Sequence, residues 1–243
     1  MPHIRRRKND YILLKNPRLW SWVLWCLKFD LMSLSIKGER WKAEVRSEQG
    51  HKYIFEKEEN KKIMSYIQTY MGVHFDPMKP DAELLRIEDI AHALSLLCRG
   101  NGHLEHFFSV AQHCIYCCRE AMARGYNSRL ALACLLHDAS EAYMADVPRP
   151  IKETLIGYRE TEDALLRMIY EHWLGSPLTE AEDAVVREID DDLLYFDLRE
   201  LLHIEMELPP PNIHIELYAD DASDFAEVEA EYLQMFRELR DKL

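Results

Sequence analysis

LACLLHDASEAYMADVPRP, residues 132–150, joins an apolar helical run to an unusual set of charges. Leucine, alanine and cysteine fill its first five positions, which is typical of a helix that is buried on every side. His137 and Asp138 follow directly, then Glu141 and Asp146, and a Pro-X-Pro sequence ends the stretch. Because unpaired charge is costly to bury, we expect a metal ion to compensate these carboxylates.

The rest of the chain favours an all-α fold. Of its 243 residues, 48% are hydrophobic and 30% charged, which are ordinary proportions for a soluble globular protein. Ser109-x-x-Gln112 and Thr179-x-x-Glu182 have the capping-box pattern that opens a helix. Apolar residues recur at helical spacing over long runs. This predicts a compact bundle of six or seven helices, at residues 87–100, 109–125, 129–143, 158–174, 179–206 and 222–243.

The charge distribution divides the chain near residue 63. Residues 1–63 carry a net charge of +7 and four of the five tryptophans, whereas residues 64–243 carry −20. We therefore expect a basic N-terminal extension of unknown role, in which residues 37–60 form a hairpin followed by a short helix, and a separate domain over 64–243. Met64 at the join is a candidate start of translation.

The negative charge of residues 64–243 excludes some classes of binding partner. It repels nucleic-acid polymers, so we expect none to bind. A small anionic substrate needs a local positive group, such as a metal ion or an arginine. The longest apolar run, residues 19–27, is much shorter than the roughly 18 residues of a membrane span. The sequence therefore predicts no membrane span.

Six cysteines form no disulfide framework, which indicates a reducing cytoplasm. Cys114-x-x-Cys117 has the spacing of a zinc-binding pair, but no second pair follows it. Free cysteine is among the most frequently buried residue types. We therefore expect these two thiols to be core residues.

Two histidines and two aspartates are candidate metal ligands. His113 lies in the first turns of a predicted helix, and His137 and Asp138 lie in the middle of another. Asp190 shares the apolar face of a third helix, whereas Asp191 beside it is expected to face solvent. This mixed set of nitrogen and oxygen donors suits one divalent ion (Mn²⁺, Co²⁺, Zn²⁺, Fe²⁺ or Mg²⁺), with positions left for water. The alternative is a hydrogen-bonded core histidine beside an ordinary aspartate.

Glu141 and Asp146 are candidate catalytic groups. Glu141 is four residues after His137 and three after Asp138, so a continuous helix places all three on one face. Asp146 lies beyond the expected helix end, where the chain can fold back over the site. Two carboxylates beside a metal-bound water are what acid–base hydrolysis requires.

These motifs together resemble the HD-domain metal-dependent phosphohydrolases. The similarity is closer to the branch of bacterial HD-type 5′-deoxynucleotidases and phage and bacterial nucleotide hydrolases, and it covers roughly residues 66–240. The stretches that carry it are IEDIAHALSLLCRGNGHLEHFFSVAQH, LLHDASEAYMADVPRPIK and VREIDDDLLYFDLREL. Residues 1–63 resemble nothing in that branch.

The resemblance implies an all-α HD-domain fold that holds one divalent ion through His113, His137, Asp138 and Asp190. It also implies that Glu141 and Asp146 are the catalytic carboxylates and that Arg99 contacts a phosphate. Three further side chains are candidates for substrate contact because they lie in the flanking loops and turns: His103, Arg149 and Lys152.

The expected function is a divalent-metal phosphohydrolase acting on small nucleotides, with deoxynucleoside 5′-monophosphates favoured. Within the same class, a deoxynucleoside triphosphate hydrolase or an alarmone hydrolase is an alternative. Outside it, the domain is either a non-catalytic nucleotide- or metal-binding sensor or a protein-interaction module with an acidic surface. Homodimers are frequent in the resembled family, so a homodimer is an expected assembly.

Overall fold

A computed structural model describes residues 65–217 and 224–243 in full, together with the backbone of three short strands before them. The chain divides into two compact units, Met1–Met64 and Ser65–Leu243. The strands of the first unit are β1 (Tyr11–Leu13), β2 (Lys42–Arg46) and β3 (Lys52–Glu56). They form a sheet in the order β1-β3-β2, with β1 parallel to β3 and β2 antiparallel to it. The predicted hairpin is therefore confirmed, and the short helix expected after it lies outside the described residues.

The second unit is mainly helical, as predicted. In its described part, six helices have nine or more residues: α1 (Ile87–Leu96), α2 (Val110–Ala123), α3 (Ser128–Leu136), α6 (Tyr158–Leu174), α7 (Glu180–Phe196) and α8 (Phe225–Arg240). Two single-turn helices, α4 (Glu141–Met144) and α5 (Arg149–Lys152), lie between α3 and α6. A pair of two-residue strands, β4 (Ile67–Gln68) and β5 (His74–Phe75), precedes α1.

α3 is the central helix of this unit. Every residue from Leu130 to Leu136 is buried, so the helix is apolar on all sides. It packs against α2, α6, α7 and α8. Each fully buried leucine contributes about 1.5–3 kcal/mol relative to an exposed one. Residues at the end of α3 are therefore held in the middle of the core.

The helix starts follow the predicted caps. Ser109 and Gln112 form a complete capping box at the start of α2, and Thr179 and Glu182 form another at the start of α7. These side chains satisfy amide groups that have no partner within the helix. The starts of both helices are consequently set by local sequence.

Three helix ends differ from the prediction. The helix expected over 129–143 ends at Leu136, and tight turns follow in which Ala139 N–H donates to Leu136 O (2.9 Å) and Glu141 N–H to Asp138 O (2.9 Å). His137 and Asp138 are therefore in a turn and not in mid-helix. The two other helices, α1 and α7, also end earlier than predicted because the backbone turns there. α1 stops before a turn in which Gly100 and Asn101 have positive φ angles of 62° and 55°, and α7 stops at a wider turn over Asp197–Leu201.

In the described part of the chain, no helix is long and apolar enough to cross a membrane.

Candidate metal centre

The fold brings together the four side chains predicted to bind a metal ion. His113 is the fourth residue of α2, His137 and Asp138 follow the last residue of α3, and Asp190 lies in the third turn of α7. Because α2 and α7 both pack against α3, their side chains meet at its C-terminal end. His113 and His137 are both buried, and their ring centroids are 5.2 Å apart.

Three distances between donor atoms of this cluster are those expected of ligands to one ion. His113 Nε2 is 3.0 Å from Asp190 Oδ1, and His137 Nε2 is 3.6 Å from the same oxygen and 3.3 Å from Asp138 Oδ2. Two donors that each lie about 2.1 Å from one ion, at angles of about 90–120°, are about 3.0–3.6 Å apart. All three measured distances fall in this range.

His137 faces this cluster with its Nε2. Its Nδ1 is 2.8 Å from the carbonyl oxygen of Cys134, which can only accept a hydrogen bond, so Nδ1 carries a proton. Its Nε2 is buried and has no hydrogen-bond partner among the described residues. Burial opposes a positive charge on this ring, but the neighbouring Asp138 carboxylate outweighs it and raises the His137 pKa well above its usual value. The carboxylates therefore favour a cation at this position.

Asp197 belongs to the same cluster, although it was not predicted. It is buried, and its Oδ2 is 3.1 Å from His113 Nδ1 and accepts a hydrogen bond from Arg99 Nε at 2.7 Å. A carboxylate behind a metal-binding histidine orients the ring and increases its basicity. The sequence signal is that Asp197 lies seven residues, or about two helical turns, after Asp190.

Two cysteines also border the cluster. Cys114 and Cys117 are buried as predicted, and burial raises the pKa of both thiols. Donor atoms of His113, Cys117, His137 and Asp190 all lie within 4.8 Å of one another, and those of Cys114, His137 and Asp138 form a second such group. His137 is common to both groups, so the thiols flank the metal centre. The interpretation of these cysteines as core residues alone missed this placement.

Glu141 lies next to the centre in a buried position. Its Oε1 accepts a hydrogen bond from Lys152 Nζ at 3.2 Å, and its Oε2 is buried without a hydrogen-bond partner among the described residues. Burial is the largest cause that raises the Glu141 pKa well above its usual value, and the charges of Asp138 and Asp146 raise it further. Asp146 itself accepts a hydrogen bond from the backbone amide of Gly100 at 3.2 Å.

Arg99 lies at the edge of the four predicted ligands. Its Nη1 is 3.5 Å from Asp138 Oδ2 and its Nη2 is 3.7 Å from Asp190 Oδ1, while Nε bonds to Asp197. Although burial lowers the pKa of Arg99, the nearby carboxylates raise it above its usual value. The guanidinium is therefore a permanent positive charge beside the centre.

The remaining predicted substrate contacts are placed differently. Arg149 is exposed and donates hydrogen bonds to Asp190 Oδ2 (3.2 Å) and Asp191 Oδ1 (2.8 Å). Lys152 bonds to Glu141 and, at 2.7 Å, to Glu162. In the described structure its ammonium group is therefore paired with carboxylates and does not add a free positive charge.

His103 is exposed at the end of the turn that contains Arg99. Among the described residues, no hydrogen bond links its side chain to the four predicted ligands, so the structure does not bring it into the cluster.

Comparisons with known proteins give relatives without a named activity. No family model matches the chain. It is 40% identical over 110 residues to the uncharacterized protein YfdR of Escherichia coli strain K12, a match that covers 45% of this chain and 59% of the relative. It is 36% identical over 105 residues to an uncharacterized protein of Rhodobacter capsulatus, with 41% of this chain and 53% of the relative covered. The chain thus spans little more than half the length of these relatives.

Proposed function

We propose that this chain is a divalent-metal-dependent phosphohydrolase of the HD-domain class. The observation that carries the proposal is that donor atoms of His113, His137 and Asp190 lie within 4.8 Å of one another, with Asp138 Oδ2 3.3 Å from His137 Nε2. A histidine and carboxylate set of this kind leaves positions open for water and substrate, unlike a closed structural site. We further propose small nucleotides as substrates, with deoxynucleoside 5′-monophosphates favoured by the resemblance of the three motifs.

The ligand carboxylates are suited to hold a cation at neutral pH. Burial alone raises the pKa of Asp190, but its hydrogen bond with His113 and the nearby imidazole of His137 hold this pKa well below its usual range. Asp138 is likewise kept ionised, because His137 and Arg99 outweigh its burial and lower its pKa. A divalent ion bound here supplies hydroxide from water at neutral pH and polarises a phosphoryl oxygen.

The two further carboxylates differ in the way that acid–base chemistry requires. The raised pKa of Glu141 keeps a proton on this side chain, which can then pass to the leaving 5′-oxygen of the substrate. Asp146 is fixed by the amide of Gly100 and can orient the attacking water or accept its proton.

Arg99 is the proposed phosphate contact. Asp197 holds its Nε, so the guanidinium plane is fixed and both Nη groups lie near the ligand carboxylates. A planar, fixed guanidinium suits bidentate binding of phosphate oxygens. This local positive charge is what a small anion needs in a domain with a net charge of −20 over residues 64–243.

The proposal is tested by product release from a panel of nucleoside and deoxynucleoside mono-, di- and triphosphates. Each reaction is run with Mn²⁺, Co²⁺ or Mg²⁺, with a chelator as control and with Asp138→Ala as the matched inactive variant. We expect metal-dependent release of phosphate and nucleoside from monophosphates, faster for the deoxy series. The ratio of deoxy to ribo rates then measures the sugar preference.

Three other outcomes are informative. Turnover of triphosphates alone would keep the metal centre and replace the proposed substrate by a nucleoside triphosphate. Metal binding without turnover of any nucleotide would contradict a hydrolase and favour the nucleotide- or metal-binding sensor. Absence of metal binding would contradict the centre itself.

A further inference from the structure

Cys117 is one helical turn after His113 on α2, and it faces the same cluster. Its side chain is buried, and its Sγ is 3.4 Å from His113 Nε2, the nitrogen that also contacts Asp190. A sulfur bound at about 2.3 Å and a nitrogen bound at about 2.1 Å, at an angle of about 100° on one ion, are about 3.4 Å apart. The thiol therefore lies where an additional donor would lie.

We propose that the Cys117 thiol is a further ligand of the metal centre, beside His113, His137 and Asp190, which makes it a mixed nitrogen, oxygen and sulfur site. Sulfur is a soft donor that favours Zn²⁺, Co²⁺ and Fe²⁺ over Mg²⁺ and Mn²⁺. The centre is accordingly selective for ions of the first group. The inference rests on the metal centre of the proposed function and is independent of the substrate.

A second observation points to a ligand between these groups. His137 Nε2 is buried, has no hydrogen-bond partner among the described residues, and belongs to the same group of donors as Cys117. All four donors of that group, from His113, Cys117, His137 and Asp190, lie within 4.8 Å of one another. An unpartnered imidazole nitrogen beside a buried thiol is expected where both bind one ion.

Metal binding by Cys117 requires its thiol to lose a proton. The S–H bond breaks, a sulfur–metal bond forms, and one proton leaves to solvent for each ion bound. The oxidation state of neither sulfur nor metal changes. The additional negative charge on sulfur offsets part of the charge of the divalent ion.

Of the neighbouring cysteines on α2, one is a rival candidate for the ligand and the other is a matched control. Cys114 shares a group with His137 and Asp138 but not with His113, so it is the rival ligand. Cys118 is adjacent to Cys117 and equally buried, yet it belongs to neither group within the described part of the chain. Cys118→Ala is therefore the matched control for the removal of a buried thiol from α2.

The test is the absorption spectrum of the Co²⁺-loaded full chain. We expect a thiolate-to-cobalt charge-transfer band in the wild type and in Cys118→Ala, and its loss in both Cys117→Ser and Cys117→Ala. Cys117→Ser replaces one atom only, and circular dichroism verifies that each variant is folded. In competition with a chelator, the Cys117 variants should lose Zn²⁺ affinity by about tenfold or more. Their affinity for Mn²⁺ should change less.

Three results would overturn the inference, and they are distinguishable. Visible cobalt bands without charge transfer in the wild type would leave the metal centre intact and exclude a thiolate ligand. A charge-transfer band that persists in Cys117→Ala and disappears in Cys114→Ala would show that Cys114, and not Cys117, is the thiolate ligand. Failure of the wild type to bind Co²⁺ at all would remove the metal centre of the proposed function as well.

Discussion

His137, Asp138 and Glu141 lie within five positions of one another, but their surroundings give them different chemistry. Asp138 is beside His137 and Arg99, and these positive groups outweigh its burial and lower its pKa. Glu141 is buried and lies among further carboxylates, and its pKa is raised. A ligand must be ionised and a proton donor must be protonated. The two carboxylates thus meet opposite requirements at the same pH.

Substitution of these residues should separate metal binding from catalysis. Asp138→Ala, like His137→Ala, should lose both the metal and the activity, because a ligand is removed. Glu141→Ala should retain the metal and lose about 10²–10⁴-fold in kcat, the usual contribution of a general acid. In the wild type, activity should fall as pH rises through the raised pKa of Glu141, and this limb should disappear in Glu141→Ala. Full metal occupancy in Asp138→Ala, measured by elemental analysis, would contradict the ligand assignment.

Asp197 shows how a residue can act on the centre through its neighbours. It contacts His113 Nδ1 and Arg99 Nε, and so it fixes a ligand ring and the proposed phosphate contact together. We expect Asp197→Asn to reduce metal affinity by about 10–100-fold, as is usual when a carboxylate behind a metal ligand is lost. Chelator competition gives the affinity, and exposed Asp191→Asn on the same side of the cluster is the control. Equal affinities in the two variants would assign Asp197 a purely structural role.

At the scale of elements, α2 carries one predicted ligand and both neighbouring thiols. Its capping box precedes His113 by only four residues, and Cys114 and Cys117 follow within the next turn. Its far end carries Glu120, which is fully buried and accepts hydrogen bonds from Arg124 and His214. The helix is thus fixed at both ends by polar contacts.

The cap at Ser109 should influence both stability and metal binding. Ser109→Ala removes the acceptor for the amide of Gln112 and should cost about 0.5–2 kcal/mol of unfolding free energy, measured in urea. Because His113 is one turn away, metal affinity should also fall. Thr179→Ala, in the capping box of α7, is the control: it should cost a similar amount of stability but leave affinity unchanged, because Asp190 is three turns away. Identical metal affinities in the two variants would show that the cap does not position His113.

Because of Glu120, the free energy of unfolding should decrease as the pH falls. Burial raises the pKa of this side chain, but hydrogen bonds from Arg124 and His214 outweigh burial and lower it. The carboxylate therefore stabilises the fold above its unfolded pKa of about 4.3, and this contribution is lost as pH falls through the folded value. Glu120→Gln should lose about 1–3 kcal/mol at neutral pH. The difference from wild type in urea unfolding should shrink below about pH 4, and a constant difference would contradict the assignment.

At the scale of the whole molecule, the acidic charge and the buried metal centre act together. Residues 64–243 carry −20, and several of these carboxylates meet at the end of α3. A divalent ion held by the proposed centre would offset this local repulsion, and it would require the folded arrangement of its donors. Metal binding is therefore expected to be coupled to folding.

Addition of metal should raise the melting temperature. At a free Co²⁺ concentration 100 times the Kd, the stabilisation is about 2.7 kcal/mol. For a domain of this size, that corresponds to an increase of roughly 5–10 °C. A chelator should reverse the shift, and Asp138→Ala should show none. An equal shift in this variant would indicate that the ion binds elsewhere on the acidic surface.

The sequence predicted the helical class and most helix starts, because these depend on local interactions. Capping boxes at Ser109 and Thr179 and the apolar periodicity each operate within a few residues. Helix ends were predicted less well, as the early stop of α3 at Leu136 illustrates. That stop depends on tight turns and on how the surrounding helices fill the core, which no local pattern states.

In the candidate site, too, some features follow from the sequence and others only from the tertiary structure. The sequence by itself determined the donor types and the segments that carry them, since His113, His137, Asp138 and Asp190 stand out as polar residues within apolar runs. Only the tertiary structure decided that Asp197 and Cys117 join them and that Lys152 is already paired with carboxylates. These contacts join residues on separate helices, or depend on which face of a helix meets its neighbour. Distances of that kind are set by packing and are absent from any one stretch of sequence.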